Sequence, residues 1–489
     1  MPENRNDLVE LNIDNVAHGG VAVARLEGRV VFVADAIPGE RVLARIADDS
    51  KSSFWRADTV EVVEASADRV PHVWPEAALD RAPEQRAGGA EFGHISLPRQ
   101  RELKADVLQD ALRRFGGVDR RIEVEAIGAD AEGAAEQAGA TAQSGTGTPA
   151  DRAPGTRWRT RMRLHIGPGG RIGPYAARSH TVVPIESLPL ATEAIEAEAL
   201  QVAEALRHDR QGAAAVEFVE TSEGEVRVSL VAEEQSKTGG GAGGRGNGSG
   251  RGGARGQKGR GRGAAGKTSG TGGTDRRLPD SSSARADRPA TIVERVGDRE
   301  FRLAENGFWQ VHRDAAATLS DAVRSLTRHD LFDPRAANHD LYGGVGLLAA
   351  AMADEFGPAT RITSVESDET ATDHAGDNLA EWIGAGAVTA RVDRYLTDLE
   401  KQASAEERRR LEAATMVIDP PRSGAGKQVV GSLTRLGVAQ VAYVACDPVA
   451  FARDVALFRE SGYELDAARA YDLFPHTHHV ETVGVLVRA

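Results

Sequence analysis

The only cysteine of the chain, Cys446, lies where an apolar run, VAYVAC, gives way to Asp447 and Pro448. A thiol becomes a nucleophile only as its thiolate, which nearby positive charge or a helix N-terminus favours. Buried free cysteines are more often inert apolar residues, so position alone leaves both interpretations open. Glu481 begins the last apolar run, ETVGVLV, and an acid there can act as a general base if it faces the same cleft.

A glycine-rich turn, DLYGGVG at 340–346, closes one predicted strand and opens a helix. Its glycines allow the backbone to approach a ligand at the helix N-terminus. Glu366 ends the next strand, from which a carboxylate can accept hydrogen bonds from ribose hydroxyls, although an ordinary exposed acid is the alternative. The turn lacks the lysine of a phosphate-binding loop. The pair therefore fits a nucleoside cofactor such as S-adenosylmethionine at least as well as a dinucleotide.

Two further motifs carry polar side chains. Asp419-Pro-Pro-Arg422 follows the run TMVI, and its prolines fix an extended loop that would aim Asp419 and Arg422 into a cleft. A plain structural turn is the alternative. The segment 474–481 holds three histidines, but it has neither a cysteine partner nor the helical spacing of a zinc site, so a metal centre is disfavoured.

The elements that must position these residues follow from the pattern of residues 291–489, where short apolar runs alternate with helical stretches. This alternation predicts a parallel, doubly wound sheet. Ligands bind at the carboxyl ends of the strands in such sheets, so we expect the four motifs to meet at one edge.

The N-terminal region has a different pattern. Residues 8–66 contain four short runs rich in Val and Ile, separated by Gly-containing turns, which predicts a small β-barrel. Such a barrel commonly binds ligands in the manner of OB-folds, although a purely structural module has the same pattern. Residues 99–115 form an amphipathic helical stripe. Strand-like runs return within 157–230 as RWRTRMRLHIG, HTVVPI, AVEFVE and EVRVSLV.

Composition and charge bound the function classes. With 489 residues the chain is too long for one core, so two or three domains are expected. The net charge of −13 conceals a local concentration of ten basic residues and one acidic residue between 237 and 277. That Gly/Arg-rich stretch is typical of segments that bind RNA phosphates, or of a solvated linker. The stretches 128–156 and 233–290 are too poor in large apolar residues to fold, and we expect disorder in both.

A single cysteine excludes an internal disulfide framework, a cysteine-built zinc finger and a four-thiolate iron–sulfur cluster. No apolar run approaches the roughly 20 residues that cross a bilayer, and the N-terminus lacks a signal pattern. We therefore expect a soluble, cytoplasmic protein without a membrane partner.

Five motifs in the region 301–489 make it resemble the RNA (uracil-5-)-methyltransferase family. They occur in family order: Phe308-Trp-Gln-Val311, Asp340–Gly346, Asp419–Arg422, Tyr443–Pro448 with Ala452-Arg-Asp454, and Phe474–Glu481. The N-terminal module is similar to a TRAM domain, an RNA-binding barrel, at His18–Ala22, Phe32-Val33 and Ile37–Glu40.

The resemblance implies a fold and a division of the chain. The fold class is α/β: a Rossmann-like class I S-adenosylmethionine-dependent methyltransferase domain, an N-terminal OB-like β-barrel and a small central α+β region. The expected boundaries are 1–67 for the barrel, 68–232 for the central region, 233–290 for the linker and 291–489 for the methyltransferase domain.

The resemblance also implies residue roles. Cys446 matches the nucleophile that adds to C6 of the target uracil, and Glu481 matches the proposed general base. Four positions match residues that hold S-adenosylmethionine: Gln310, Tyr342, Glu366 and Asp419. Asp393 is a weaker cofactor candidate, and no metal ligand is implied.

The chain departs from the family pattern at several positions. Many members carry cysteines for a [4Fe–4S] cluster, including a CGGC stretch. Here that stretch is Ala87-Gly-Gly-Ala90, and Ser187 lies where another cysteine is expected. No iron–sulfur cluster is therefore expected. Asp447 replaces the usual asparagine after the nucleophile, and Leu347 replaces a residue that is often polar.

The predicted activity is methylation of C5 of uridine in structured RNA by a monomer. Ribosomal RNA, and specifically 23S rRNA, is favoured over tRNA because of the TRAM-like module. The alternatives are a tRNA uracil-5 or cytosine-5 methyltransferase and a non-catalytic RNA-binding or ribosome-assembly factor. Cys446 and Glu481 argue against the non-catalytic alternative. A small-molecule methyltransferase would not need the β-module.

Overall fold

A computed structural model describes residues 8–128, 153–207, 212–232 and 289–489. Most of the two low-complexity stretches, 128–156 and 233–290, lies outside these residues. The expectations of disorder and of RNA binding in those stretches therefore stay predictions.

The N-terminal strands close into a barrel, as predicted. The strands are β1 (Leu8–Val16), β2 (Ala22–Leu26), β3 (Arg29–Ala34), β4 (Arg41–Asp48) and β5 (Phe54–Glu64). They pair in the order β1-β2-β3-β5-β4. Because side chains alternate along a strand, one set of apolar residues, including Leu11, Val31 and Val42, fills the interior.

The predicted helix at 99–115 is α1 (Leu97–Ala111), and a π-helical turn, Leu112–Gly116, continues it. Its Lys104 is fully buried, and Lys104 Nζ donates to Asp472 Oδ1 at 2.5 Å and to the carbonyl oxygen of Phe474 at 3.0 Å. A buried ammonium is tolerated only when it is paired in this way. The pair fastens α1 to the segment that precedes Glu481.

A four-stranded antiparallel sheet follows, with strand order β10-β9-β7-β8. Its elements are β7 (Arg161–Ile166), β8 (Ile172–Gly173), α2 (Glu193–Leu206), β9 (Ala213–Glu220) and β10 (Val226–Ala232). The expectation of a strand at HTVVPI is wrong, since that run makes only an isolated bridge between Val182 and Tyr175. Pro184 lacks an N–H group and interrupts the ladder. Helix α2 was not anticipated.

Many members of the resembling family have iron–sulfur-cluster cysteines at the positions of Ala87, Ala90 and Ser187. In this chain, apolar packing and one buried carboxylate stabilise these positions. Ala87 and Ala90 are buried in a core cluster with Trp74. The carboxylate of Glu76, itself buried, accepts hydrogen bonds from the backbone N–H of Ser187 at 2.6 Å and from Ser187 Oγ at 2.9 Å. These contacts satisfy the buried charge.

The C-terminal region holds the largest sheet, with strand order β15-β14-β13-β16-β17-β19-β18-β6. Its strands are β6 (Val124–Glu125), β13 (Asn338–Leu341), β14 (Ile362–Glu366), β15 (Ala385–Thr389), β16 (Thr415–Ile418), β17 (Gln440–Ala445), β18 (Tyr463–Tyr471) and β19 (Glu481–Arg488). A separate hairpin, β11 (Thr291–Val296) and β12 (Arg299–Ala304), precedes it.

The expectation of a wholly parallel sheet needs correction. Five neighbouring strands, from β15 to β17, run parallel, but β19 pairs antiparallel with both β17 and β18. The turn-containing segment between β18 and β19 allows this direct reversal, which no crossover helix accompanies.

Helices cover both faces of the large sheet. They are α3 (Ala315–Leu326), α4 (Leu347–Phe356), α5 (Glu369–Asn378), α6 (Val392–Gln402), α7 (Ala405–Glu412), α8 (Gly426–Leu436) and α9 (Pro448–Glu460). The buried apolar side chains of α3 and α4 pack on one face of the sheet, whereas those of α1, α8 and α9 pack on the other face. None of the described helices has the length and apolar character of a membrane span.

The outer edge of this sheet comes from far upstream in the chain. Val124 and Glu125 of β6 pair in parallel with Ala470 and Tyr471 of β18. The guanidinium of Arg469 also binds both carboxylate oxygens of Glu125. Residues 97–125 therefore pack on the C-terminal sheet rather than on the smaller antiparallel one.

Candidate active site

The strand register brings the predicted residues to one edge of the large sheet. Leu341 at the end of β13 pairs with both Val365 of β14 and Ile418 of β16. The residues that follow these strand ends include Tyr342 and Asp419. Because the strands are parallel and aligned, their carboxyl ends form one shelf, as predicted.

Cys446 and Glu481 reach the same shelf from antiparallel neighbours. Ala445, the last residue of β17, pairs with Thr482 of β19. The adjoining positions, Cys446 and Glu481, therefore leave the two strands next to each other. Cys446 is half-buried and Glu481 is buried.

One cavity of about 1220 Å³ opens over this shelf. It brings together every residue that the sequence singled out for catalysis or cofactor binding: Gln310, Tyr342, Glu366, Asp393, Asp419, Cys446 and Glu481.

The glycine-rich turn shapes one wall of the cavity. A Cβ atom at Gly343 would collide with Ser364 Oγ and lie 2.8 Å from Asp340 Oδ2. Gly346 caps α4 with a φ of +87°, a region that side chains disfavour. The backbone N–H of Gly344 donates to Glu366 Oε2 at 3.3 Å. The turn and the acid thus hold each other in place.

Replacing Gly343 with alanine is expected to weaken nucleoside-cofactor binding by at least about tenfold, because the collision must displace the turn whose neighbouring residues line the cavity. The measurement is titration calorimetry with S-adenosylhomocysteine. Gly376→Ala is the matched control, since a Cβ there meets nothing within 4 Å and the residue lies inside α5. Equal affinity of the two variants would contradict the expectation.

Glu366 and Asp393, two acidic residues of the cavity, have different hydrogen-bond and ion-pair partners. Glu366 accepts hydrogen bonds from the backbone N–H of Asp368 at 3.0 Å and from Ser367 Oγ at 2.9 Å, so its orientation is fixed without a cation. Asp393, at the start of α6, pairs instead with Arg391 at 2.9 Å. Its carboxylate is therefore already paired with a cation, although it lines the cavity with the other candidates.

Asp454 of α9 organises the loop after Asp419. Its Oδ2 accepts from Tyr443 Oη at 2.6 Å and from the backbone N–H of Ala425 at 2.7 Å, and its Oδ1 accepts from Gly426 N–H at 3.1 Å. Asp454 belongs to one of the resembling motifs, but the motif alone does not predict this role. The contacts fix the loop that carries Asp419 and Arg422.

The electrostatics of the cavity disfavour negative charge. Burial, followed by the carboxylates of Glu481 and Asp419, raises the pKa of the Cys446 thiol to about 12, while Arg422 acts in the opposite direction. Burial raises the pKa of Asp419 to about 7 and that of Glu481 well above its usual value. A bound cation would lower all three pKa values, so the site is suited to a positively charged ligand.

Because its pKa is raised, the Cys446 thiol is expected to be alkylated slowly in the ligand-free protein. At mildly alkaline pH the thiolate fraction of Cys446 should be roughly a thousandfold lower than that of a free cysteine. Iodoacetamide labelling, followed by mass spectrometry, measures it directly because the chain has one cysteine. Arg422→Gln should slow labelling further, whereas Arg422→Lys should retain the rate. Labelling as fast as that of a free thiol would contradict the raised pKa.

The three histidines of 474–481 point to separate partners. His476 contacts Gln100 Nε2 at 3.1 Å and the carbonyl oxygen of Pro154 at 3.0 Å. His478 faces Glu91 at 3.5 Å, and His479 Nε2 lies 3.5 Å from the Arg422 guanidinium. Among the described residues, no group of three or more potential ligands is arranged to hold a metal ion.

The cavity is also lined by residues that were not predicted as site residues, among them Glu91, Arg159 and Phe308. Phe308 is a large aromatic side chain that is 73% exposed at the mouth of the cavity. It stands two residues before Gln310 in a resembling motif, a signal that was available. Arg159 and Glu91 come from the central region, and their arrival at the site depends on long-range packing.

Comparison with known proteins places this geometry in context. Residues 299–489 match the family model described as tRNA (Uracil-5-)-methyltransferase. An uncharacterized RNA methyltransferase of Streptomyces avermitilis is 34% identical over 486 residues, which cover 98% of this chain and 97% of the relative. A second, from Streptomyces coelicolor, is 33% identical over 98% of this chain and 92% of its own length.

Among solved structures, the tRNA (uracil-54, C5)-methyltransferase of Pyrococcus abyssi, in complex with S-adenosyl-L-homocysteine, aligns over 98% of this chain and 99% of that chain. The TM-score is 0.63 and the sequence identity is 20%. At this identity the likeness establishes the fold alone. The predicted fold class, a class I methyltransferase fold with an N-terminal barrel, is confirmed.

Proposed function

Since the chain belongs to the RNA (uracil-5-)-methyltransferase family, we propose that it methylates C5 of uridine in structured RNA through a transient bond between Cys446 Sγ and C6 of the base. The family makes the chain an S-adenosylmethionine-dependent RNA methyltransferase. The observation that carries the finer proposal is the convergence of Cys446, Glu481 and the five predicted cofactor residues on one cavity.

The side chains of the cavity fit S-adenosylmethionine. When bound, this cofactor supplies a methyl group on a positively charged sulfur. Burial raises the pKa values of the Asp419 and Glu481 carboxyl groups, and Arg422 offsets this only in part at Glu481, so a bound cation would favour their charged forms. Glu366 ends β14 with its orientation fixed, where it would accept hydrogen bonds from ribose hydroxyls.

Cys446 and Glu481 have separate roles in the proposed reaction on the uracil base. Cys446 Sγ forms a bond to C6, which places electron density on C5, a carbon that is otherwise a poor nucleophile. C5 takes the methyl group, and the Glu481 carboxylate removes the proton that C5 still carries. The electron pair of that C–H bond restores the C5–C6 double bond as the C6–S bond breaks. The thiolate is thereby regenerated. The uracil must leave its stack to reach Cys446.

Two features bear on the identity of the substrate RNA: the N-terminal barrel and the name of the matching family model. We place 23S rRNA first because the N-terminal barrel, β1 to β5, is of a kind that binds RNA. A tRNA is the second candidate, because the matching family model is named for tRNA.

The deciding experiment incubates the purified chain with isotope-labelled S-adenosylmethionine and RNA from a strain that lacks the gene. Nuclease digestion and mass spectrometry then locate the label. Label in 5-methyluridine of ribosomal RNA supports the full proposal, whereas label in tRNA supports the second candidate. Label in 5-methylcytosine, or RNA binding without any methyl transfer, would overturn the assignment to uridine.

A further inference from the structure

The barrel contacts the catalytic region through the turn between β1 and β2. His18 Nε2 of this turn lies 2.8 Å from Asp447 Oδ2, and the two residues are 429 positions apart. Asp447 directly follows Cys446. The His18 side chain is 48% exposed and the Asp447 side chain 22%, so the contact is shielded on one side only.

The other oxygen of the same carboxylate fixes the start of α9. Asp447 Oδ1 accepts from the backbone N–H of Val449 at 3.0 Å and of Ala450 at 2.8 Å, which makes Asp447 the N-cap of that helix. One side chain thus joins the barrel to the first turn after the nucleophile. Because Asp447 directly follows Cys446 in the chain, a displacement of His18 would also shift the backbone next to the thiol.

The same barrel turn also contacts the second catalytic segment. A Cβ atom on Gly20 would collide with the side chain of His478, three residues before Glu481. Between the turn, α1 and the catalytic loop lies a smaller cavity of about 160 Å³. Cys446 and Arg422 line both this cavity and the large one. The thiol therefore lies at the junction of a barrel-facing and a cofactor-facing compartment.

We propose that His18 is a positioning residue for methyl transfer: through Asp447 it aligns the loop that carries Cys446 with the target base, so that alignment of the thiol depends on docking of the barrel. The proposal rests on the function proposed above. Nucleophilic attack is sensitive to position, and a misplacement of about 1 Å costs on the order of a hundredfold in rate.

The charges around His18 set the pH dependence of this coupling. Asp447 raises the pKa of His18 through the hydrogen bond, while Arg453 on α9 opposes it. His478 also faces the turn, and Lys104 of α1 is neutralised by Asp472. Below its raised pKa, His18 is a cation paired with a carboxylate. As pH rises through that pKa the charge is lost, so the contribution of His18 should fade on the alkaline side.

The test uses the full-length chain and RNA that contains 5-fluorouridine, which cannot release the thiol. His18→Ala should slow adduct formation about tenfold, the size expected for losing a charge-assisted hydrogen bond. The ratio of wild-type to variant rate should shrink between about pH 6 and about pH 9. His18→Gln keeps a donor without a titratable charge, so it should restore part of the rate with a flatter profile. S-adenosylhomocysteine affinity should not change, and the thermal midpoint should fall by no more than a few degrees.

Two controls separate positioning from general damage. His329→Gln replaces another exposed histidine with an acidic neighbour, Glu355, outside both cavities, and should behave as wild type. Hydrogen exchange of the segment 446–452 should be faster in His18→Ala than in wild type, and this readout does not need RNA turnover. Equal adduct rates across the pH range, or unchanged exchange at 446–452, would overturn the proposal. If the wild type forms no adduct, the proposed function fails, and the exchange comparison still decides the role of His18.

Discussion

Cys446→Ala is expected to abolish methyl transfer, by roughly 10⁴-fold or more, and to eliminate the covalent adduct with 5-fluorouridine RNA. Cys446 is half-buried and is the only thiol in the chain, so no other side chain can form the same bond. Removing one small side chain from a cavity wall should change the free energy of unfolding by less than about 1 kcal/mol. The assays are methyl incorporation and gel-shift trapping.

Cofactor binding is the internal control for this variant. Gln310, Tyr342 and Glu366 approach the cavity from other strands and turns, so Cys446→Ala should retain S-adenosylhomocysteine affinity. Loss of activity together with loss of affinity would point to a damaged fold instead. Residual 5-methyluridine formation near the wild-type rate would exclude the thiol as nucleophile.

Glu481→Gln is expected to separate the two halves of the reaction. The thiol is intact, so the bond to C6 still forms, but the proton on C5 has no acceptor. Turnover should fall by roughly 10²- to 10⁴-fold, the usual contribution of a general base. The methylated adduct should then accumulate on ordinary uridine-containing RNA, where mass spectrometry of the protein–RNA complex detects it. Glu412→Gln, an exposed acid outside the cavity, is the matched control.

The pH dependence of turnover also tests whether Glu481 is the general base. Burial and Asp419 raise the pKa of Glu481 well above its usual value. Because a base works only when deprotonated, wild-type turnover should rise with pH until Glu481 ionises in the complex. The contribution of Glu481 to that limb should lie above the ordinary range of a carboxylate, and in Glu481→Gln only the rise due to ionisation of the Cys446 thiol should remain. If Glu481→Gln turned over as fast as the wild type and accumulated no adduct, another group would have to remove the proton from C5.

The sequence predicted which residues meet at one cavity more completely than it predicted the arrangement of the strands. The motifs lie at strand ends, and a parallel register turns sequence motifs into neighbours in space, so Tyr342, Glu366 and Asp419 could be grouped in advance. The barrel and α1 were also predictable, because their apolar periodicity is local. A strand at HTVVPI was wrongly predicted, since apolar β-branched content does not reveal where the backbone hydrogen bonds go.

Contacts between distant segments could not be predicted. The hydrogen bond from His18 to Asp447 joins two loops whose sequences show only a Gly-rich turn and a helix cap. Arg159 and Glu91 reach the cavity because the central region packs against the C-terminal one. The antiparallel strands β18 and β19 also depend on this tertiary packing. Local propensity does not encode such partners, which are selected by the fit of complete surfaces.

The edge strand β6 has a consequence for synthesis of the chain. Glu125 leaves the ribosome 344 residues before Arg469, its partner on β18. Until translation reaches that point, the unpaired edge of β6 and the part of α1 that packs on the C-terminal core, including Leu108, have no surface to cover them. A fragment that begins at the hairpin β11–β12 would have the reverse defect, an open edge on β18. The two halves of the gene product are therefore expected to be soluble only when they are made together.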